Sequence, residues 1–133
     1  MAECLVYLLK LIGPSDVSIA TWSISELAMR QLLILKNKGI VKSCRFLVDP
    51  RVKVRNPKPL QILTQNFEYA LVKCHAKVTL IQSEQHHVDI VSSANLSRNP
   101  RIERGLIFNN PEVFNFDKKW MDDAFNGRTA QRS

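Results

Sequence analysis

His75-Ala76-Lys77, followed by Ser92-Ser93-Ala94-Asn95 and then by Glu103, gathers an imidazole, an ammonium, a hydroxyl, an amide and a carboxylate into one short stretch of the chain. Residues 75–82 and 88–93 read as successive strands joined by a turn over 83–87. Side chains alternate along a strand, so His75 and Lys77 share a face of the first, and Ser93 and Asn95 share a face at the second. The chemistry such a set suits is that of phosphate. An imidazole is a nucleophile or proton shuttle, an ammonium is a compact positive charge, and amide and hydroxyl are neutral donors. Taken alone, His75 would read as a strand-end histidine satisfied by backbone. Lys77, Asn95 and Glu103 in order behind it favour phosphate binding or catalysis.

The ordered pattern resembles the phospholipase D superfamily, whose signature is H-x-K, four residues, an Asp, and then G-S-x-N with an acidic residue further on. The resemblance covers His75 to Ile107, with two departures: Gln82 stands at the place of the Asp, and Ser92 at the place of the Gly. In the family that Asp is chiefly a structural hydrogen-bonding residue, so a neutral Gln could keep part of its role. Ser92 poses the question whether the backbone there tolerates a Cβ. The resemblance implies a phospholipase D-like fold and metal-independent chemistry without a cofactor. It also implies a homodimer, because the superfamily sets two copies of the motif face to face and this chain carries one. A two-fold axis would bring two copies of His75 together. One His75 would then attack phosphorus to form a phosphohistidine, while the other protonates the leaving oxygen. Lys77 and Asn95 would hold the non-bridging oxygens, Ser93 would add a donor, and Glu103 would fix the histidine tautomer.

Charge points to the same partner. The chain of 133 residues carries a net charge of +7, and residues 27–77 hold eleven Lys or Arg against only Asp49 and Glu68. The densest run contains Arg51, Lys53, Arg55 and Lys58 with no acid between them. Such a run neutralises phosphates without reading sequence; a solvated loop is the plain alternative. Arg98, Arg101 and Arg104 flank Glu103, and Arg98 and Arg101 are read as further phosphate contacts, with an Arg101–Glu103 ion pair as the competing account. The expected partner is nucleic acid, DNA or RNA. The expected activity is that of a nuclease-like phosphodiesterase. A relative that binds nucleic acid without turnover is the alternative, with a phospholipid phosphodiesterase behind it.

No run approaches the eighteen or more apolar residues of a membrane span, and the N-terminal apolar segment has neither a basic lead nor a cleavage site. A soluble, cytoplasmic protein without a membrane partner is expected. Cys4, Cys44 and Cys74 lack metal-binding spacing and read as reduced, buried thiols, with no metal site. His86 and His87 fall in a turn and read as surface residues. Trp22 and Trp120 read as core, Trp22 being the better candidate for the edge of a site.

These groups need a scaffold, and the rest of the chain supplies one. Residues 3–12 have helical spacing up to Gly13-Pro14. Residues 16–24 alternate as a strand. Ser23-Ile24-Ser25-Glu26 reads as a capping box opening a helix through Lys38, stopped by Gly39. Residues 40–48 form a second strand, 59–66 a helix, 69–74 a short strand, 102–108 a strand, and 112–125 a helix started by Asn110-Pro111. Residues 126–133 are polar and read as frayed. Length and the absence of a linker argue for a single domain over residues 1–133. Helices and strands alternate first and strands then cluster, which predicts the α/β class: a mixed β-sheet flanked by helices on both faces.

Overall fold

Val17 and Ile19 of the first strand turn to one side of the sheet and Ala20 turns to the other, and a separate apolar cluster forms on each side. The computed structural model describes residues 1–96 and 103–127. The elements run α1 (Ala2–Ile12), β1 (Ser15–Thr21), α2 (Glu26–Asn37), β2 (Val41–Val48), α3 (Val52–Arg55), α4 (Pro57–Asn66), β3 (Glu68–Leu71), β4 (Val78–Gln82), β5 (His87–Ser92), β6 (Gly105–Asn109) and α5 (Pro111–Phe125). The strand order is β3-β2-β1-β4-β5-β6. β1, β2 and β3 are mutually parallel, whereas β4, β5 and β6 add antiparallel from the other edge of β1.

On one face, Leu5 and Leu9 of α1, Met29, Leu32 and Leu35 of α2, and Leu63 of α4 cover Val17, Ile19, Phe46, Val48, Ile81 and Ile90. On the other, Phe114, Met121 and Ala124 of α5 cover Ala20, Leu47, Val78 and Leu80. This is the mixed sheet with helices on both faces that the sequence predicts. Removing apolar area of this kind from water is the main term holding such layers together.

Several boundaries differ from the sequence reading. The cap of α2 is Ser25, whose hydroxyl accepts from Ala28 N at 3.2 Å, while Glu26 pairs with Arg30 instead of closing a box with Ser23. The cause is Ile24, buried and bridged to Leu96, which keeps the chain extended for two residues more. Leu27 and Ile34 stay exposed, so α2 buries one stripe. Its end is as expected: Gly39 takes φ 79°, and Ile40 N reaches Leu35 O while Gly39 N reaches Lys36 O, the paired bonds of a left-handed helix stop. The basic run is not a loop, because residues 52–55 form the short α3. β3 ends at Leu71, β4 begins only at Val78, and β5 ends at Ser92. His75, Lys77, Ser93 and Asn95 therefore lie just beyond the strands and not within them. β6 begins at Gly105. Asn110 caps α5 as expected, accepting from Glu112 N and Val113 N.

Beneath α5, β5 carries one group out of keeping with its surroundings. Asp89 is fully buried, and neither carboxylate oxygen meets a donor among the described residues. Burial, and then the Asp117 carboxyl facing it, push the Asp89 carboxyl up to about 8 from 3.8. Asp117 itself accepts the Trp120 indole N–H at 2.7 Å. A proton held by Asp89 toward Asp117 satisfies both carboxyls.

Candidate active site

The change from parallel to antiparallel pairing at β1 decides where the reactive groups meet. Ala20 pairs with Leu47 on one side and with Val78 on the other, Val78 pairs with Val91, and Val91 pairs with Leu106. One row thus crosses the sheet. The ends of β1, β2 and β5 and the beginnings of β4 and β6 lie just past it, on a common rim. Ligand sites of open α/β sheets lie in the same place, outside the carboxyl ends of the parallel strands.

His75 is exposed and Lys77 half-buried on this rim. Lys77 Nζ lies 3.1 Å from His75 Nδ1 and donates to His75 O at 3.0 Å. An ammonium only donates, so Nδ1 is the acceptor in this contact and the ring proton sits on Nε2. Ser92 N donates to Lys77 O at 3.1 Å, which brings the exit of β5 beside the lead-in to β4.

Asn95 is joined to His75 through Trp22. Its Oδ1 accepts from Trp22 N at 3.1 Å and lies 3.3 Å from the Thr21 hydroxyl, and the Trp22 ring centroid is 5.6 Å from that of His75. With Oδ1 so engaged, the amide NH2 is the end of Asn95 left to meet a ligand. Thr21 is buried and works as a hub: its hydroxyl donates to Ser23 O at 2.9 Å and accepts from Leu96 N at 3.1 Å. Ser93 turns to another partner, its hydroxyl donating to Glu103 and lying 3.2 Å from Arg104 O. Lys77 thus contacts His75 directly and Asn95 is linked to it through Trp22, whereas Ser93 pairs with Glu103 alongside.

Of the basic run, two members reach the site. Arg55 lies 3.8 Å over the Trp22 ring centroid and Arg51 5.9 Å from it; four residues apart, they share a face of α3. Lys53 and Lys58 are exposed, and no contact ties them to that ring. Arg98 and Arg101 lie outside the described residues, while Arg104 is exposed next to Ser93. Asp49 anchors α3 to the histidine segment, accepting from Arg51 N at 3.0 Å and from Cys74 N at 3.3 Å. It is buried, and its carboxylate also lies 3.6 Å from the Arg51 side chain.

Thr21, Trp22 and Asp49 are the site residues the sequence signals least. Asp49-Pro50 reads only as a strand stop, and Trp22 reads first as core. His87 also departs from its surface reading, because it is half-buried with its ring edge-to-face on Phe114 at 5.2 Å.

The two departures from the H-x-K signature fall in places that explain them. Gln82 ends β4, five residues beyond Lys77 and so roughly 16 Å from the rim at strand spacing. Ser92 has no positive φ, pairs with Gly105, and its hydroxyl accepts from Ala94 N at 2.9 Å. The missing Cβ lies across the ladder from it and not at Ser92 itself.

Cys4, Cys44 and Cys74 are free thiols, and burial pushes Cys44 and Cys74 above the usual thiol range. Among the described residues no group of three or more His, Cys, Asp or Glu could hold a metal ion, and no helix is long and apolar enough to cross a membrane.

No family model matches the sequence, and no curated protein matches it. Solved structures do. The chain is similar to NucT from Helicobacter pylori, with 20% identity, a TM-score of 0.72, and coverage of 91% of this chain and 86% of that one. It is also similar to a polyphosphate kinase from Porphyromonas gingivalis, with 17% identity and a TM-score of 0.69, where 96% of this chain corresponds to 24% of the larger enzyme.

Proposed function

We propose that this chain, whose fold is that of the phospholipase D superfamily, is a phosphoryl-transfer enzyme, and specifically a metal-independent phosphodiesterase that cleaves nucleic acid through a phosphohistidine. The observation that carries the reading is the contact chain from Lys77 through His75 and Trp22 to Asn95 on one rim. In this reading the nucleophile, the cation and the amide serve one phosphate. Arg51 and Arg55 beside it supply the charge a polyanion requires.

The chemistry needs two imidazoles in different protonation states. His75 Nε2 of one protomer attacks phosphorus, forming the N–P bond as the P–O bond to the leaving nucleoside breaks. The ring of the partner protomer gives its Nε2 proton to the departing oxygen. Water then attacks phosphorus, the P–N bond breaks, and the now neutral partner ring takes the proton from water. In the contact with Lys77, Nδ1 is the acceptor and the proton is on Nε2; the ring that serves as the acid is the imidazolium, with a proton on each nitrogen, and it needs Lys77 off Nδ1. A phosphate that draws Lys77 onto a non-bridging oxygen frees Nδ1 and releases the ring for attack. Lys77 and the Asn95 amide then face the charge that develops on those oxygens.

A homodimer completes the site in this reading, with the two rings about 6 Å or somewhat more apart, given roughly 3 Å of reach on each side. Neither the Gln82 nor the Ser92 side chain contacts the His75, Lys77 or Asn95 side chains, which supports turnover over a binding-only role. The test is incubation of the purified protein with single- and double-stranded DNA and RNA in EDTA, alongside sedimentation to give its mass. Cleavage by a dimer, lost in His75→Ala, with a phosphorylated histidine trapped on quenching, is the expected result. Intact substrates at high protein concentration, or cleavage undiminished in His75→Ala, would overturn it.

A further inference from the structure

We propose that Trp22, with Arg55 laid over its ring, is a stacking platform for a nucleobase next to the scissile phosphate, so that an unpaired strand is the preferred substrate. The inference rests on the nucleic-acid reading above and adds a substrate class to it.

The Trp22 ring is placed as a surface and not as core. It is half-buried and belongs to neither apolar cluster. Its backbone N–H is held by Asn95 Oδ1, one of the groups read as facing phosphate. One neighbour of the ring is His75, at 5.6 Å between centroids and inclined by 50°. The other neighbours are guanidinium groups, Arg55 at 3.8 Å and Arg51 at 5.9 Å from the ring centroid. An indole with two guanidinium groups and the candidate nucleophile among its neighbours combines an aromatic plane with a cationic track, the pairing by which proteins hold single strands. Arginine suits both tasks, because its flat guanidinium stacks on rings and forks onto phosphate.

The platform is firmly mounted. Val52 roots α3 in the core, Asn56 Oδ1 accepts from Ile24 N at 3.4 Å, and Asp49 ties Arg51 N to the segment before His75. A nucleotide whose phosphate meets His75 therefore has the indole beside it. Only a base that has left a paired stack can lie on that ring, since bases in a duplex are already stacked above and below.

Binding is measured by fluorescence anisotropy in EDTA with His75→Ala protein, so that no probe is cut. Three probes of equal length are used: a single-stranded DNA, the same strand with abasic sites throughout its centre, and a duplex. Base-bearing and abasic strands carry the same phosphates, so their ratio at one salt concentration isolates stacking from charge. The expected result is about ten-fold tighter binding of the base-bearing strand than of the abasic one. That ratio falls toward one in Trp22→Ala and is largely kept in Trp22→Phe, the variant that keeps an aromatic ring in place. Equal binding of the two single strands, or an unchanged ratio in a folded Trp22→Ala, overturns the platform while leaving a phosphate-binding site intact. Failure of all three probes to bind removes the nucleic-acid reading itself.

Discussion

Gly105 stands opposite Ser92 in the β5–β6 ladder, and a Cβ added to it would meet Val91 O at 2.8 Å and Ser92 Cβ at 3.2 Å. The serine is thus accommodated by a glycine on the neighbouring strand. Gly105→Ala forces backbone apart at the rim and should cost about 1–3 kcal/mol, the usual range for overpacking. Thermal unfolding checks it. A variant as stable as the parent would mean that the ladder relaxes freely there.

Thr21 holds the loop that carries Asn95. Thr21→Val keeps the shape and removes the hydroxyl, leaving the Leu96 N–H without its acceptor in a buried site, at a cost of about 1–3 kcal/mol. Cleavage should fall in this variant and persist in Thr21→Ser, although the residue lies behind Asn95, the one proposed to meet phosphate. Equal rates for the two would leave the hydroxyl no positioning role.

Asp89 makes stability depend on pH in a direction opposite to that of an ordinary salt-bridged carboxylate. Its folded value, near 8, lies above the ordinary 3.8. Below the lower value both folded and unfolded chains hold the proton. Between the two the unfolded chain releases it while the folded chain retains it, so stability falls as pH climbs toward 8 and levels off beyond. Asp89→Asn, which supplies a permanent donor toward Asp117, should raise the melting temperature much more at pH 8 than at pH 5. Equal shifts at both would dismiss the buried proton.

As the proposed phosphate contacts, Arg51 and Arg55 should set the salt dependence of binding. Removing one phosphate contact should flatten the slope of log K against log salt by about 0.7 to 0.9, single strands lying at the lower figure. Arg51→Ala titrated with a single-stranded oligonucleotide over a range of salt measures this. An unaltered slope would take Arg51 off the nucleic-acid path.

Much of the architecture is legible from local pattern. Alternation in residues 16–24 and 40–48, the Gly39 stop and the Asn110-Pro111 start are all short-range signals, and each element they mark is present. The candidate set is an ordered string too, H-x-K, S-x-N and a downstream Glu, from which His75 meets Lys77 and Ser93 meets Glu103, and the mixed sheet with helices on both faces agrees with the α/β expectation. What local pattern does not carry is pairing across the chain. Trp22 and Asn95 are 73 residues apart, and the parallel bridge between Ile24 and Leu96, with the Thr21 hydroxyl, brings them together. Asp49 and Cys74 are 25 apart and meet because β2 and the lead-in to β4 end on the same side of the sheet. The capping of α2 moved to Ser25 for a related reason, since a long-range bridge at Ile24 outweighs a local motif.

The row from Leu47 through Ala20 and Val78 to Val91 gives the reactive groups short lever arms. Lys77 hangs one residue from it, Trp22 two, and His75 three. At about 3.3 Å per residue, none can swing far from a backbone locked on both sides. In the proposed dimer, a lone protomer would accordingly arrive with its half of the geometry already cast, and association would have only to bring two stiff margins into opposition.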